Sequence, residues 1–140
     1  IKLNIKNWLM QYKALNDIVD IYDAKVVNFG IKFKVTVDDR YTRFDIVGRC
    51  VKKLKEHYSN QLYIGEPIYI TRLYTVLSKV EGVSDVKKIE VFQKHGGPYS
   101  TTRIDFEEAL SRDGTYVETP KNVIMELKYP DIDIRGEMIR

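Results

Sequence analysis

The sequence of 140 residues predicts an α+β domain whose central part alternates strands and helices. Two observations predict this class. Residues 24–37 alternate strictly between apolar and polar side chains, which is typical of a strand with one buried face. Residues 38–58 and 67–80 instead repeat apolar side chains at the spacing of one helix face. With a further strand after the second of these helices, the expected order is β-α-β-α-β over residues 24–94.

Residues 1–23 are expected to form a helix followed by a connector. Between Ile5 and Asp20, apolar side chains recur at helical spacing, while lysines and a glutamine occupy the other faces. The apolar positions are Ile5, Trp8, Leu9, Tyr12 and Leu15. This pattern predicts a short amphipathic helix ahead of the first strand.

A helix that ends near Tyr58 is expected directly after the first strand. Asp38 and Asp39 end the strand and offer an N-terminal cap to that helix. The apolar stripe predicted for the helix consists of Phe44, Val47, Cys50, Val51 and Leu54. Because the remaining faces are rich in arginine and lysine, this stripe is the side expected to pack on the sheet.

A short second strand is expected over Leu62–Ile64, and a third strand over Asp85–Gln93. Between them, Pro67 suits the first turn of a second helix, and Gly82 suits its left-handed C-terminal cap. The apolar positions of that helix are Ile70, Leu73, Tyr74, Leu77 and Val80. Right-handed crossovers between the strands would place both helices on one face of a small sheet, as in a split β-α-β, ferredoxin-like sandwich.

Residues 95–140 are expected to form an extended, β-rich arm. His95-Gly96-Gly97-Pro98 breaks the pattern, and only residues 106–110 indicate a helical turn. Short strands are expected over Tyr116–Glu118 and Val123–Tyr129, where flanking prolines confine them to sheet edges. The arm needs a surface for its apolar side chains, which could be its own sheet or, by strand addition, another subunit. These side chains are Val117, Ile124, Leu127, Ile132 and Ile134.

Composition excludes several classes of protein. The chain carries 23 basic and 20 acidic residues, so its net charge of +3 does not by itself indicate nucleic-acid binding. Cys50 cannot close an internal disulfide and is expected to be a small buried apolar residue, with a reactive thiol as the alternative. No apolar run approaches the roughly 18 residues of a membrane span. Because the chain begins with Ile1 and not Met, we expect it to be part of a longer polypeptide.

No residue pattern points to catalysis, to a cofactor or to a metal. His57 and His95 each lack a second ligand at a familiar metal-binding spacing, and no nucleophile or phosphate-binding motif is present. Asp131 and Asp133 fall on one side of an expected strand, but without other ligands a solvated or partner-facing edge explains them better than a calcium site. The sequence therefore predicts a non-enzymatic protein that holds no cofactor and no metal.

A basic helix face is the best evidence for nucleic-acid binding. Its residues are Arg43, Arg49, Lys52, Lys53 and Lys55. Ten tyrosines and five phenylalanines could stack on bases, but those in the strands fall mostly at core positions and no RNA-binding motif accompanies them. A solvated charged face is the preferred interpretation, and a ferredoxin-like RNA- or small-ligand-binding domain is the alternative.

Two runs of residues carry a resemblance to a known family. Residues 64–74 begin Ile-Gly-Glu-Pro and continue into a helix, and residues 80–86 read Val-Glu-Gly-Val-Ser-Asp-Val, a Gly-Val turn into a strand. This pattern resembles the baseplate J-like proteins. The segments 116–122 and 129–134 are more narrowly similar to the C-terminal region of the T4-type contractile phage-tail baseplate wedge subunit. The similarity covers most of residues 20–134.

The resemblance implies a structural protein of the virion, located in the tail baseplate and assembled in the host cytoplasm. Its implied partners are copies of itself, as a homodimer or a higher assembly, and other baseplate wedge proteins. It implies no catalytic residue and no cofactor, and it assigns Gly65, Glu66, Pro67 and Gly82 to shaping the fold. The expected contact surfaces are the helix over Tyr69–Tyr74 and the arm. The candidate interface residues are Tyr69, Arg72, Leu73, Tyr74, Tyr116, Val117, Ile124, Leu127, Ile132 and Ile134.

Overall fold

The computed structural model describes residues 1–13 and 17–139 of the chain. Strands and helices alternate as expected up to residue 94, and further short elements follow. The helices are α1 Lys2–Met10, α2 Arg43–His57, α3 Ile70–Ser78, α4 Phe106–Ala109 and α5 Pro130–Asp133. The strands are β1 Lys25–Val37, β2 Ile68–Tyr69, β3 Val83–Lys94, β4 Tyr116–Val117, β5 Val123–Glu126 and β6 Ile134–Ile139.

Strand β1 is the centre of a mixed four-stranded sheet. On one side β3 runs antiparallel to it, with Ile31 opposite Val91. On the other side β5 runs parallel to the first part of β1, and β6 runs parallel to the later part. The predicted α+β class is confirmed. The ferredoxin-like arrangement is not confirmed, because β1 and β3 are antiparallel whereas a right-handed crossover joins parallel strands.

The apolar face predicted for β1 is confirmed, because the residues of that face from Val27 to Val35 are all buried. The other face was expected to be open to water, but Asn28 and Gly30 on that face are also buried. The apolar residues of β1 share one core with Leu73 and Leu77 of α3 and with the buried residues of α2. Each large apolar side chain that leaves water in this way contributes roughly 1.5–3 kcal/mol to folding. The sheet face that carries the apolar residues of β1 is therefore the face that holds α2 and α3.

Two expectations for α2 are wrong. The helix begins after Thr42, and Asp38 pairs with the Arg40 side chain, with Nη2 and Oδ2 2.6 Å apart, instead of capping it. The buried stripe consists of Ile46, Cys50 and Leu54, while Phe44 is 88% exposed. Since successive residues turn by roughly 100° around a helix, Phe44 lies on nearly the opposite side from Ile46.

The second strand was expected in the wrong place. Residues 62–64 form no strand, and β2 follows Pro67, so Pro67 does not open α3. Strand β2 pairs with β4 in a separate two-stranded sheet. Gly82 adopts the expected left-handed conformation, with φ +96°, but α3 ends at the cap residue Lys79. Gly82 instead lies in the turn that the Val83 N–H closes onto the Val80 carbonyl at 3.1 Å.

The arm folds back onto its own sheet. Strands β5 and β6 follow one another along the same edge of β1, and residues 127–133 form an insertion between them. The strand expected to reach Tyr129 ends at Glu126, and Asp131 and Asp133 lie in the helical turn α5 and not in a strand. The arm contributes Val117, Val123, Met125 and Ile134 to the core.

The N-terminal helix is shorter than predicted. It ends at Met10 and does not continue to Asp20, and the predicted apolar position Leu15 lies outside the described residues. None of residues 2–10 is buried. Among the helices of the described part of the chain, none has the length and apolar character needed to cross a bilayer.

Candidate functional site

Tyr69, Arg72 and Tyr116 form a partly exposed aromatic surface, which we call the tyrosine surface. Tyr69 lies opposite Tyr116 in the β2–β4 pair, with the ring centroids 6.1 Å apart. The Arg72 guanidinium carbon lies 4.2 Å from the centroid of the Tyr69 ring, within cation–π distance. The structure thus brings together residues from both surfaces that the sequence proposed, the helix after Pro67 and the arm.

A hydrogen-bonded turn holds Tyr116 in place. The Ile70 N–H donates to the Thr115 carbonyl at 2.9 Å, which joins the start of α3 to β4. The Thr115 N–H donates to Ser111 Oγ at 2.9 Å, and the Thr115 hydroxyl donates to Asp113 Oδ1 at 2.8 Å. Hydrogen bonds from Ser111 and Thr115 lower the pKa of Asp113, so its carboxylate stays charged and keeps the turn closed at neutral pH.

A groove next to the tyrosine surface contains His57, Tyr58 and Glu66. The His57 ring packs edge-on against Tyr58 with the centroids 4.8 Å apart. Burial, and then the nearby Arg72 charge, lowers the pKa of His57. The imidazole is therefore neutral at pH 7, and Arg72 is the positive charge at this position.

The other candidate interface residues differ in exposure. Leu73, Val117 and Ile134 are buried in the core of the monomer, with at most 4% of each exposed. Tyr74 is half-buried, and its hydroxyl accepts a 3.1 Å hydrogen bond from the Ile89 N–H. Ile132 is 57% exposed, whereas Ile124 and Leu127 are half-buried. Among the candidate interface residues, those available to a partner are therefore those of the tyrosine surface and Ile132.

The opposite face of the sheet carries a buried polar network that sequence reasoning missed. Asp133 has no exposed surface, and it accepts hydrogen bonds from the Tyr99 hydroxyl at 2.6 Å and the Tyr129 N–H at 3.2 Å. Asn28, also buried, donates to Glu126 Oε1 at 2.8 Å and accepts from the Ser100 N–H at 2.7 Å. The signal available in the sequence was a lone asparagine in an apolar strand segment.

Acidic partners neutralise part of the basic charge. Lys53 pairs with Glu56 at 3.1 Å, and Lys55 pairs with Asp131 of the arm at 3.0 Å. On the sheet face that α2 and α3 do not cover, the amino groups of Lys32 and Lys34 lie 3.0 Å and 3.3 Å, respectively, from the Glu137 carboxylate of β6. These ion pairs weaken the basic field that a nucleic-acid surface needs.

The residues considered for chemistry are spread through the fold. Cys50 is buried in the core, as predicted, and burial raises the pKa of its thiol to about 11. His95 is exposed, and its Nδ1 lies 3.1 Å from Nη2 of Arg103. Within residues 1–13 and 17–139, no group of three or more histidine, cysteine or acidic side chains is arranged to hold a metal ion.

The tyrosine surface is suited to binding another protein. Tyrosine and arginine offer planar, amphipathic contact area and are enriched where interfaces gain most of their affinity. The β2–β4 pair and α3 fix the backbones of all three residues. No protein-family model matches this chain, and no curated protein matches it.

Proposed function

We propose that this chain is a structural, non-enzymatic module of a contractile phage-tail baseplate wedge that associates with copies of itself as wedges join into a ring. The tyrosine surface is the observation that carries the self-association. The placement in a baseplate rests on the resemblance of residues 64–74 and 80–86 and of the arm to that family.

The Gly-Glu-Pro run makes contacts that suit the fold-shaping role implied by the resemblance. Gly65 has a φ of +73°, and its N–H donates to the Val123 carbonyl of β5 at 2.8 Å. Glu66 accepts the Tyr63 N–H at 2.7 Å and so closes the same turn. This run therefore fixes the arm against the segment that leads into β2.

The arm's position determines how copies can meet. Because β5 and β6 already pair with β1 of their own chain, self-association does not need the arm to reach across to a partner. It needs an exposed surface whose central residues contribute most of the binding free energy. The tyrosine surface has that character, since an arginine stacked on a tyrosine becomes worth more when water is removed from it.

The test is the mass of the full chain in solution over a concentration series, measured by sedimentation or light scattering. We expect a mass above that of the monomer. Arg72→Glu should weaken association at least about tenfold, because hot-spot residues are worth roughly 2 kcal/mol or more. Arg43→Glu, a charge reversal of an exposed arginine on α2, is the matched control and should leave association unchanged.

Two results would count against the proposal. A strict monomer at all concentrations would remove self-association as the function of the module. Binding of oligonucleotides that weakens steeply with added salt would favour the ferredoxin-like RNA- or small-ligand-binding alternative. In that case Arg43→Glu, on the basic face, should reduce the binding.

A further inference from the structure

Helix α1 exposes apolar side chains that have no covering surface in the described chain. Ile5, Trp8 and Leu9, which the helical spacing places on one face, are 46%, 58% and 37% exposed. An isolated helix shorter than roughly 12–15 residues is marginal in water, and helices in proteins draw most of their stability from packing an apolar face. With nine residues and none buried, α1 therefore needs a partner surface.

A groove with an apolar floor lies between α4 and the β4–β5 connection. Ile104, Ala109 and Pro120 line it, and its volume is about 460 Å³. Thr119, only 6% exposed, also lines it. The hydroxyl of Thr119 has no hydrogen-bond partner among residues 1–13 and 17–139. A buried hydroxyl without a partner is costly, so an occupant with a polar group would relieve it.

The rim of the groove is acidic. Asp105 accepts the Glu107 and Glu108 N–H groups at 2.9 and 3.2 Å and so caps α4. The Glu108 and Glu118 side chains are exposed at the rim, with Lys121 as the basic residue of the lining. The groove is therefore suited to an apolar segment that also carries positive charge.

We propose that α1 of one copy of this chain docks into the acidic-rimmed groove of a second copy. Helix α1 carries Lys2 and Lys6 and no acidic residue, so its charge complements Glu108 and Glu118. Its apolar side chains, Trp8 foremost, cover the floor of the groove. This proposal rests on the proposed self-association. It deepens that function by naming a second contact surface between copies.

The structure favours docking of α1 in the groove of a second copy over docking in the groove of its own chain. Helix α1 contributes no residue to the lining of its own groove. Lys2 pairs with Asp23, and Lys6 lies 3.4 Å from Asp20, so α1 is held against its own connector. These pairs are exposed and weak, so the lysines can exchange them for the rim carboxylates. A contact between two different surfaces generates a ring when the rotation between neighbouring copies closes, and a ring is the assembly named in the proposed function.

Trp8, the one tryptophan, makes the contact measurable in the full chain. Its emission should shift to shorter wavelength as protein concentration rises, in step with the mass. The helix-reversed variant combines Lys2→Glu with Lys6→Glu, and the groove-reversed variant combines Glu108→Lys with Glu118→Lys. Each variant alone should lose the shift, because like charges then face each other and weaken association by roughly tenfold or more. Asp39→Lys, an exposed charge reversal outside the groove, should behave as the wild type.

Mixing the two reversed variants is the decisive step. In an equal mixture every helix can find a groove of opposite charge on the other variant, so both the shift and the mass should return. The mixture also detects helix loss in the helix-reversed variant. If that variant had lost α1, only the groove-reversed variant would supply a docking helix, and about half of the shift would return. Arg72→Glu weakens the tyrosine surface and leaves the groove contact in place, so it should move the Trp8 shift to higher protein concentration without abolishing it.

Other outcomes would overturn the inference. A Trp8 emission that is already shifted at the lowest concentration and independent of dilution would place α1 in its own groove. A rising mass without any shift, or reversed variants that associate like the wild type, would move the contact elsewhere while self-association stands. A monomer without a shift at every concentration would remove both the inference and the proposed function.

Discussion

The hydroxyl of Tyr99 donates a 2.6 Å hydrogen bond to Oδ1 of Asp133, a carboxylate with no exposed surface. The amino group of Lys94 lies 3.7 Å from the same oxygen. Through these contacts, the segment after β3 and the insertion between β5 and β6 are joined over the sheet face that α2 and α3 do not cover. The arm is therefore held by polar contacts on this face as well as by strand pairing.

Replacing Asp133 by alanine should strongly destabilise the fold. The change leaves the Tyr99 hydroxyl and the Tyr129 N–H without their acceptor, and loss of one partner in a buried charged network costs about 3 kcal/mol or more. The measurement is the free energy of unfolding from denaturant titration. Asp131→Ala is the control, since its side chain is 76% exposed and its pair with Lys55 is worth only about 0.5 kcal/mol. Equal effects of the two changes would contradict this role of Asp133.

The Tyr99 hydrogen bond should make stability depend on alkaline pH. The bond to Asp133 raises the pKa of Tyr99 to about 12, from an ordinary value near 10. Because the folded pKa is the higher one, the stabilisation is complete below about pH 10 and is lost as the pH rises toward 12. The difference in unfolding free energy between the wild type and Tyr99→Phe should therefore shrink over this range. A difference that stays constant from pH 9 to pH 12 would contradict the assignment.

Two glycine substitutions should have opposite effects. A Cβ at Gly30 would lie 2.6 Å from Cζ of Phe92 and 2.9 Å from the Asp133 carbonyl oxygen, so Gly30→Ala should destabilise by roughly 1–3 kcal/mol. Gly48 lies within α2 with no atom near the new Cβ, so Gly48→Ala should stabilise by roughly 0.5–1 kcal/mol. Thermal unfolding of both variants checks the pair, and a shift in the same direction for both would refute this account.

Removal of residues 95–140 should abolish cooperative unfolding. The deletion takes away both strands on one edge of β1 and the core residues Val123, Met125 and Ile134. Far-ultraviolet circular dichroism during heating should then show no sharp transition. Removal of residues 1–10, none of which is buried in α1, should leave the transition nearly unchanged. A truncated chain that still melts cooperatively would show that residues 24–94 fold without the arm.

Local patterns of residues are sufficient to predict the elements that repeat apolar side chains at a regular spacing. The alternation in β1 and the helical spacing of Ile70, Leu73 and Leu77 in α3 are visible in any short window, because burial on one face repeats with the period of the element. The burial of Cys50 followed from the same periodicity. For the candidate site, the sequence named Tyr69, Arg72 and Tyr116 without indicating that they meet.

The position of the arm and the burial of its polar residues follow from contacts between segments that are far apart in the sequence. Turn residues and prolines marked where strands stop, but they carry no information about which strand each one pairs with. Asn28 bonds to Glu126 across a separation of 98 residues. Asp133 is likewise buried because distant segments close over it, and not because of its neighbours in sequence. Such pairings depend on the free energy of the whole assembled sheet, which no local pattern of residues contains.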